Sequence, residues 1–383
     1  MKLLICTPYS LRRELGAPKI VIELAEELRL LGWECTLVGK EEIEQDGSGA
    51  PYPEALRAYL LANAGRHDVV EYDHQYLPFP RALFPHQTLF VARSSLLAHH
   101  FRRIPIPPME RGWGRLREAW ARLKDQPGRR RRLAMAQTTL QQCDLVNVAN
   151  RGDRDELIRC GIAADKIVIL PYGIDRARRP LFDAVDAAPP REPRAAFVGS
   201  FDARKGGADF PALAAELVRA TPGLRIRLLG TKGLYPDAAS VLKFFPAALH
   251  PSLEIVPGYA VNDLPALLAD CSVGIFPSYI ESFGFGVIEM LAAALPVIAY
   301  DCPGPTDILP PERIVPAGDF RAMAERVTAL LRDPETLRAS RLAARDRSHG
   351  YRWDTIARAT AEAYAHAWIG RQAAPPEETE TPS

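Results

Sequence analysis

Residues 271–301 read CSVGIFPSYIESFGFGVIEMLAAALPVIAYD, and the fold turns on how this stretch is parsed. The apolar run 273–276 stops at Pro277-Ser278, a polar, glycine-bearing turn follows, and an apolar segment continues to Ala294. A second short apolar run fills 296–300. Short apolar runs bounded by turn residues, with a longer apolar segment between them, predict strand, loop, helix and strand. Glu281 falls in the loop and Glu289, eight positions on, falls on the helix. Between them lies Phe283-Gly284-Phe285-Gly286, whose glycines let backbone N–H groups approach a ligand closely. A helix N-terminus beside such a loop is an anion site suited to a diphosphate. The flanking carboxylates can accept hydrogen bonds from sugar hydroxyls. The same letters also fit a plain βαβ unit whose glutamates face solvent.

Taken together, the strand, the PSxxESFGFGxxE turn and the following PVIA strand resemble the E-x7-E signature of retaining GT-B glycosyltransferases of the family-four type, which use nucleotide sugars. The resemblance implies that Glu281 lies against the transferred sugar and that Glu289 binds the ribose.

At 383 residues the chain is long enough for two domains, and its composition is that of a globular protein. The six cysteines (6, 35, 143, 160, 271 and 302) form no C-x-x-C pair and fall mostly in apolar runs, so they read as reduced core residues. The apolar run after Met1-Lys2 is too short for a signal sequence, and no stretch reaches membrane-spanning length, so a cytoplasmic protein is expected. The formal charge of +1 conceals a basic segment: 102–132 holds eleven Lys/Arg against three acids. Within it, Trp113, Leu116, Trp120 and Leu123 recur at helical spacing beside a basic face. That pattern fits an anionic membrane surface on the inner face of the plasma membrane, or a helix packed on its own domain. No nucleic-acid module accompanies the patch, so no nucleic-acid partner is expected.

The first half alternates strand and helix, which builds parallel sheets. Strands are expected at 2–7, 34–38, 68–72, 88–92, 145–149 and 166–170, with helices at 20–31, 133–142 and 153–160. Gly16-Ala17 before the first helix resembles the small-residue pair with which the family's N-domain approaches the donor phosphate. The polar, aromatic stretch 71–76 sits at a strand C-terminus, where open α/β sheets bind ligands, and makes His74 an acceptor-side candidate. Arg93 stands near the place where many family members carry a histidine after the next strand, and is the second acceptor-side candidate. Asp153-Arg154-Asp155 has the look of a metal-binding D-x-D, but its place at a helix start favours capping, so no metal is expected. The segment 171–175 resembles the close of the family's N-domain, and 176–193, rich in proline, alanine and charge, reads as a linker.

The second half restarts the pattern. A strand at 195–198 leads into Gly199-Ser200-Phe201-Asp202-Ala203-Arg204-Lys205-Gly206 and then a helix. A glycine-bearing turn with two cations is a second diphosphate-binding element. It resembles the family's G-R-x-x-x-x-K-G loop with Lys205 on the lysine and Ser200 where the arginine usually stands. Strands at 225–229 and 253–256 lead to Gly230, a wall of the nucleotide pocket, and to 257–260 near the base.

The expected architecture is α/β of the GT-B type: two Rossmann-like, doubly wound domains facing a central cleft. The boundaries are 1–175 for the acceptor-side domain, 176–193 for the linker and 194–350 for the nucleotide-sugar domain. A helix at 351–370 crosses back to the first domain, and 371–383 is a disordered tail. The resemblance implies transfer of a hexosyl unit from a nucleoside diphosphate sugar to a glycan or glycolipid hydroxyl, with retention and without metal or cofactor. Glu281 and Lys205 are the catalytic candidates. The donor-binding candidates are Gly16, Gly199, Arg204, Lys205, Gly230, Phe283, Gly284, Phe285, Gly286 and Glu289. A sugar-nucleotide epimerase of the same fold and a non-catalytic sugar-nucleotide-binding protein are the rival readings.

Overall fold

A computed structural model of the protein describes residues 1–12, 16–45, 49–109 and 125–373. The tryptophan-bearing segment 113–124 and the tail 374–383 lie outside these residues. In chain order the first principal elements are β1 (Lys2–Cys6), α1 (Gly16–Leu30), β2 (Glu34–Val38), α2 (Tyr52–Asn63), β3 (Val69–Asp73) and β4 (Leu89–Arg93). There follow α3 (Gln126–Gln142), β5 (Leu145–Val148), α4 (Arg151–Arg159), β6 (Ile167–Ile169), β7 (Arg194–Val198), α5 (Phe210–Ala220), β8 (Arg225–Leu229) and β9 (Leu253–Val256). The chain continues with β10 (Val273–Phe276), α6 (Phe285–Ala292), β11 (Val297–Tyr300), β12 (Ile314–Val315), α7 (Phe320–Arg332), α8 (Pro334–Ser348) and α9 (Trp353–Ala373).

The chain divides into two compact units. The first contains 1–99, 125–173 and 353–373, and the second 100–109 and 174–352. The first carries a parallel sheet in the order β2-β1-β3-β4-β5-β6, and the second a parallel sheet in the order β12-β11-β10-β7-β8-β9. Each is a doubly wound, Rossmann-like α/β unit. In each the strand order reverses once, between β1 and β3 and between β7 and β10, and crevices open outside the strand carboxyl ends at such points.

The centre of the second unit is apolar throughout. Every residue of β10 and β11 is buried, and α6 is buried from Gly286 to Ala292. A helix apolar on all sides belongs inside a core. Its approach to the sheet depends on two glycines. A Cβ on Gly286 would lie 2.4 Å from the Val198 carbonyl oxygen, and one on Gly274 would lie 2.8 Å from Met290 Sδ. The first unit has its own core, in which Leu4, Val70, Phe90 and Val146 of four adjacent strands are fully buried.

The elements depart from expectation in several places, and α9 for one runs to Ala373, into the tail expected to be disordered from 371. α1 begins at Gly16, four residues early, because a proline in the first turn (Pro18) costs no intrahelical bond. α2 was not expected; Pro51 stands at its N-cap and Pro53 in its first turn, where proline costs no intrahelical bond. α3 starts at Gln126 with Pro127 in its first turn, and so carries the exposed run Arg129–Arg132. The segment 176–193 is no free linker. It holds a short helix, Arg179–Asp183, with Phe182 buried, and the fully buried Arg341 donates to the carbonyls of Asp186 and Ala187 at 3.1 and 3.0 Å.

Candidate functional site

At the β7/β10 reversal the loop 199–209 after β7 stands beside the loop 277–284 after β10. The two loops are stitched together by backbone. Tyr279 N donates to Arg204 O at 2.8 Å, and Gly206, at φ +78°, passes so close that a Cβ there would lie 2.2 Å from Pro277 O. Within the first loop Asp202 organises the turn, accepting from Ser200 Oγ at 2.7 Å and from the Lys205 amide at 3.0 Å. Ser200 is thereby turned into its own loop, while Arg204 and Lys205 face the second.

Both cations converge on Glu281. Lys205 Nζ lies 2.5 Å from Glu281 Oε1, and Arg204 Nη1 lies 3.4 Å from the same oxygen while donating to Ile280 O at 3.0 Å. Lys205 Nζ also stands 5.3 Å from the centroid of the Phe276 ring. Beside this cluster α6 begins at Gly284, which is left-handed at φ +95° and offers no side-chain cap. Three elements that favour anions (a lysine, an arginine and a helix start without a side-chain cap) therefore lie side by side. Phe283 is buried, its ring 5.5 Å from that of Phe285 and 5.6 Å from that of Tyr351. Gly286 makes the close packing on Val198 described above.

Glu289 sits one turn further along α6. Glu281 and Glu289 are only 6% and 8% exposed, which removes the reading in which both glutamates face solvent. Glu289 Oε1 accepts from Arg178 Nη1 at 2.9 Å. Gly230 at φ +75° continues this wall, with Tyr259 placed 3.4 Å from where its Cβ would be. Burial and the neighbouring Glu289 carboxylate push the Tyr259 phenol above its ordinary range, against the pull of Arg178. Gly199, at φ +154°, turns the chain out of β7 against the Phe197 ring.

Two groups here were not anticipated. Arg178 lies in the stretch expected to be linker, and only its basic character hinted at a site. Asp209 accepts from Tyr279 Oη at 2.6 Å and from Tyr300 Oη at 3.0 Å, tying the first loop to the second and to β11. Burial raises the Asp209 carboxyl above its usual pKa, and the two tyrosine donors only partly offset this.

The acceptor-side candidates sit in the first unit. Arg93 does not present its guanidinium outward. It is buried, forks onto Glu71 at 2.6 and 2.8 Å, and lies 3.4 Å from Tyr364 Oη of α9. Tyr364 in turn donates to Glu71 and accepts from Asn147 Nδ2 at 2.7 Å. Arg93 is thus tied into an internal network with Glu71 and Tyr364. His74 is fully buried, 3.5 Å from Asp73 Oδ1, and neither ring nitrogen has a hydrogen-bond partner. Gly16 opens α1, and the loop residues 13–15 before it lie outside the described residues. A small cavity at the β1/β3 reversal is lined by Thr7, Tyr9, Asp73, Arg93 and Ser95 among others.

Comparison with known proteins bears on both units. Residues 192–333, which lie in the second unit, match the family described as "Glycosyl transferases group 1". A D-inositol 3-phosphate glycosyltransferase of Nocardia farcinica is 31% identical over 231 residues, covering 54% of this chain and 49% of the relative. A glycogen synthase of Mycobacterium tuberculosis is 29% identical over 224 residues, covering 57% and 52%. The chain thus spans about half the length of these relatives. Among solved structures, sucrose-phosphate synthase from Thermosynechococcus elongatus superimposes with a TM-score of 0.69 at 18% identity, covering 97% of this chain and 100% of that one. Anabaena Alr3699/HepE in complex with UDP gives 0.67 at 15% identity, covering 96% and 100%. At such identities the likeness concerns fold, and the fold is GT-B.

Proposed function

We propose that the protein is a retaining glycosyltransferase that moves a hexosyl unit from a nucleoside diphosphate sugar to an acceptor hydroxyl. The observation that carries this reading is the convergence of Lys205 and Arg204 on Glu281 beside the uncapped start of α6. A diphosphate entering there would draw both cations, and Glu281, relieved of part of its ion pairing, would accept from hydroxyls of the sugar. Glu289 would take the ribose. The Anabaena neighbour was solved with UDP and with UDP-glucose, which supports a nucleotide sugar as the donor class.

In the proposed reaction the bond between the anomeric carbon and the β-phosphate oxygen breaks, and a bond to the acceptor oxygen forms on the same face. The acceptor proton leaves with the departing phosphate, so no dedicated protein base is needed. Charge on that phosphate is met by Lys205, Arg204 and the backbone at 285–286, which is why no metal is invoked. The acceptor is proposed to be a glycan or glycolipid of the cell envelope. The exposed Arg129–Arg132 run supports an anionic membrane surface on the cytoplasmic side as its setting.

A thermal-shift screen against nucleoside diphosphate sugars tests the donor, since only a matched ligand stabilises strongly by mass action. Transfer from that donor, with the anomeric configuration of the product read by NMR, tests the reaction. Inverted product would contradict retention. Ser200, bound into its own loop, favours one rival, a binding protein without turnover. Donor binding with neither transfer nor slow hydrolysis would support that rival and overturn the enzyme.

A further inference from the structure

Arg178 stands out among the charged groups of the second unit. It is 3% exposed, its guanidinium carbon lies 5.4 Å from the centroid of the Phe182 ring, and its Nη1 donates to Glu289. Nε and Nη2 of the same guanidinium are buried and have no hydrogen-bond partner. A guanidinium carries five N–H donors in a planar fork and no acceptor, so the bond to Glu289 uses a small part of its capacity. Buried donors without partners are destabilising and uncommon in native folds, and where they persist they call for a ligand or a strain. Arg178 is held at this spot by its own local structure: its backbone N–H bonds to Asp175 O, and its carbonyl accepts from Phe182 N in the short helix that follows.

We propose that Arg178 and Glu289 together form a clamp for the vicinal hydroxyls of the donor's ribose, and that Arg178 sets the preference for ribo- over deoxyribonucleotides. This rests on the nucleotide-sugar reading given above. A hydroxyl is both donor and acceptor, whereas a carboxylate only accepts and a guanidinium only donates. A carboxylate alone therefore satisfies half of each hydroxyl. With the guanidinium beside it, a hydroxyl donates to Glu289 and accepts from Nε or Nη2 of Arg178. Removing the hydroxyl leaves a buried cation and a buried anion each short of a partner, and sites built this way reject the analogue lacking the group. Arg178 acts here as a specificity residue for binding and takes no part in bond making.

The test uses calorimetric titration of the full chain with the ribonucleoside diphosphate that stabilises it most, and with its 2′-deoxy and 3′-deoxy forms. Wild type is expected to bind at least one deoxy form about tenfold or more weakly. Arg178→Met is expected to weaken the ribonucleotide by a similar factor, leave the deoxy form nearly unchanged, and so collapse the ratio. Arg178→Lys, which keeps the charge without the fork, is expected to leave the ratio collapsed. An unchanged ratio in Arg178→Met overturns the clamp. If that variant does not fold, wild-type indifference to loss of either hydroxyl, or a full ratio in Arg178→Lys, overturns it instead. Failure of every nucleoside diphosphate to bind wild type would sink the nucleotide-sugar reading itself, a different result from binding without discrimination.

Discussion

Lys205 Nζ meets Glu281 Oε1 at 2.5 Å, and the contact joins the loop after β7 to the loop after β10. Both partners are largely buried, so the pair is set before any ligand arrives. Preorganised charge is what stabilises a leaving group without reorganisation at the moment of reaction.

Lys205→Met should therefore lower transfer by roughly two to three orders of magnitude in kcat. Arg204 would still face Glu281, so the fold should survive, and the melting temperature provides the control. A variant with wild-type kcat would remove Lys205 from the machinery.

Gly206 joins the same two loops by close approach. At φ +78° and 2.2 Å from Pro277 O, an alanine combines backbone strain with a clash against main chain. Gly206→Ala should cost at least about 2 kcal/mol of stability by denaturant unfolding. A change below about 0.5 kcal/mol would contradict the geometry.

Asp209 predicts a pH dependence. Its carboxyl is raised above its ordinary value by burial, so the folded state holds the proton more tightly than the unfolded chain. Between the unfolded and folded pKa values the native state binds more protons, and stability falls as pH rises through that window before levelling off. Asp209→Asn should flatten this acid-side slope in unfolding measured across mildly acidic pH. An identical slope in the variant would assign it to other groups.

In the first unit the hydroxyl of Tyr364 ties α9 to Glu71 of β3 and Asn147 of β5. Tyr364→Phe keeps the ring and strips those bonds, so a loss of about 1–3 kcal/mol is expected. Equal stability of the two proteins would show that the network contributes nothing net.

Much of this was legible in the letters. The runs 225–229, 253–256 and 273–276 delimit β8, β9 and β10 to the residue, because each is a short stretch rich in β-branched and aliphatic residues between turn residues. The turns bearing Lys205 and Glu281 could be placed for the same reason. What escaped is what long-range packing decides. Arg178 reaches Glu289 across 111 positions, from a stretch whose proline and alanine content reads as linker. Asp209, Tyr279 and Tyr300 meet only once β10 and β11 lie side by side. Arg93 fitted an acceptor wall by position, and its capture by Glu71 depends on the pairing of β3 with β4. Gly286 was legible as a glycine that must stay small, but what it makes room for is the Val198 carbonyl.

Whether the loops after β7 and β10 grip a pyrophosphate-linked sugar between two carboxylates can be read from calorimetric titration of wild type and Glu289→Ala with the best-stabilising nucleoside diphosphate sugar. Saturable one-to-one binding to wild type is expected, with affinity at least about tenfold weaker in the variant. Equal affinity in the two proteins, or no binding to wild type by any donor, would contradict it.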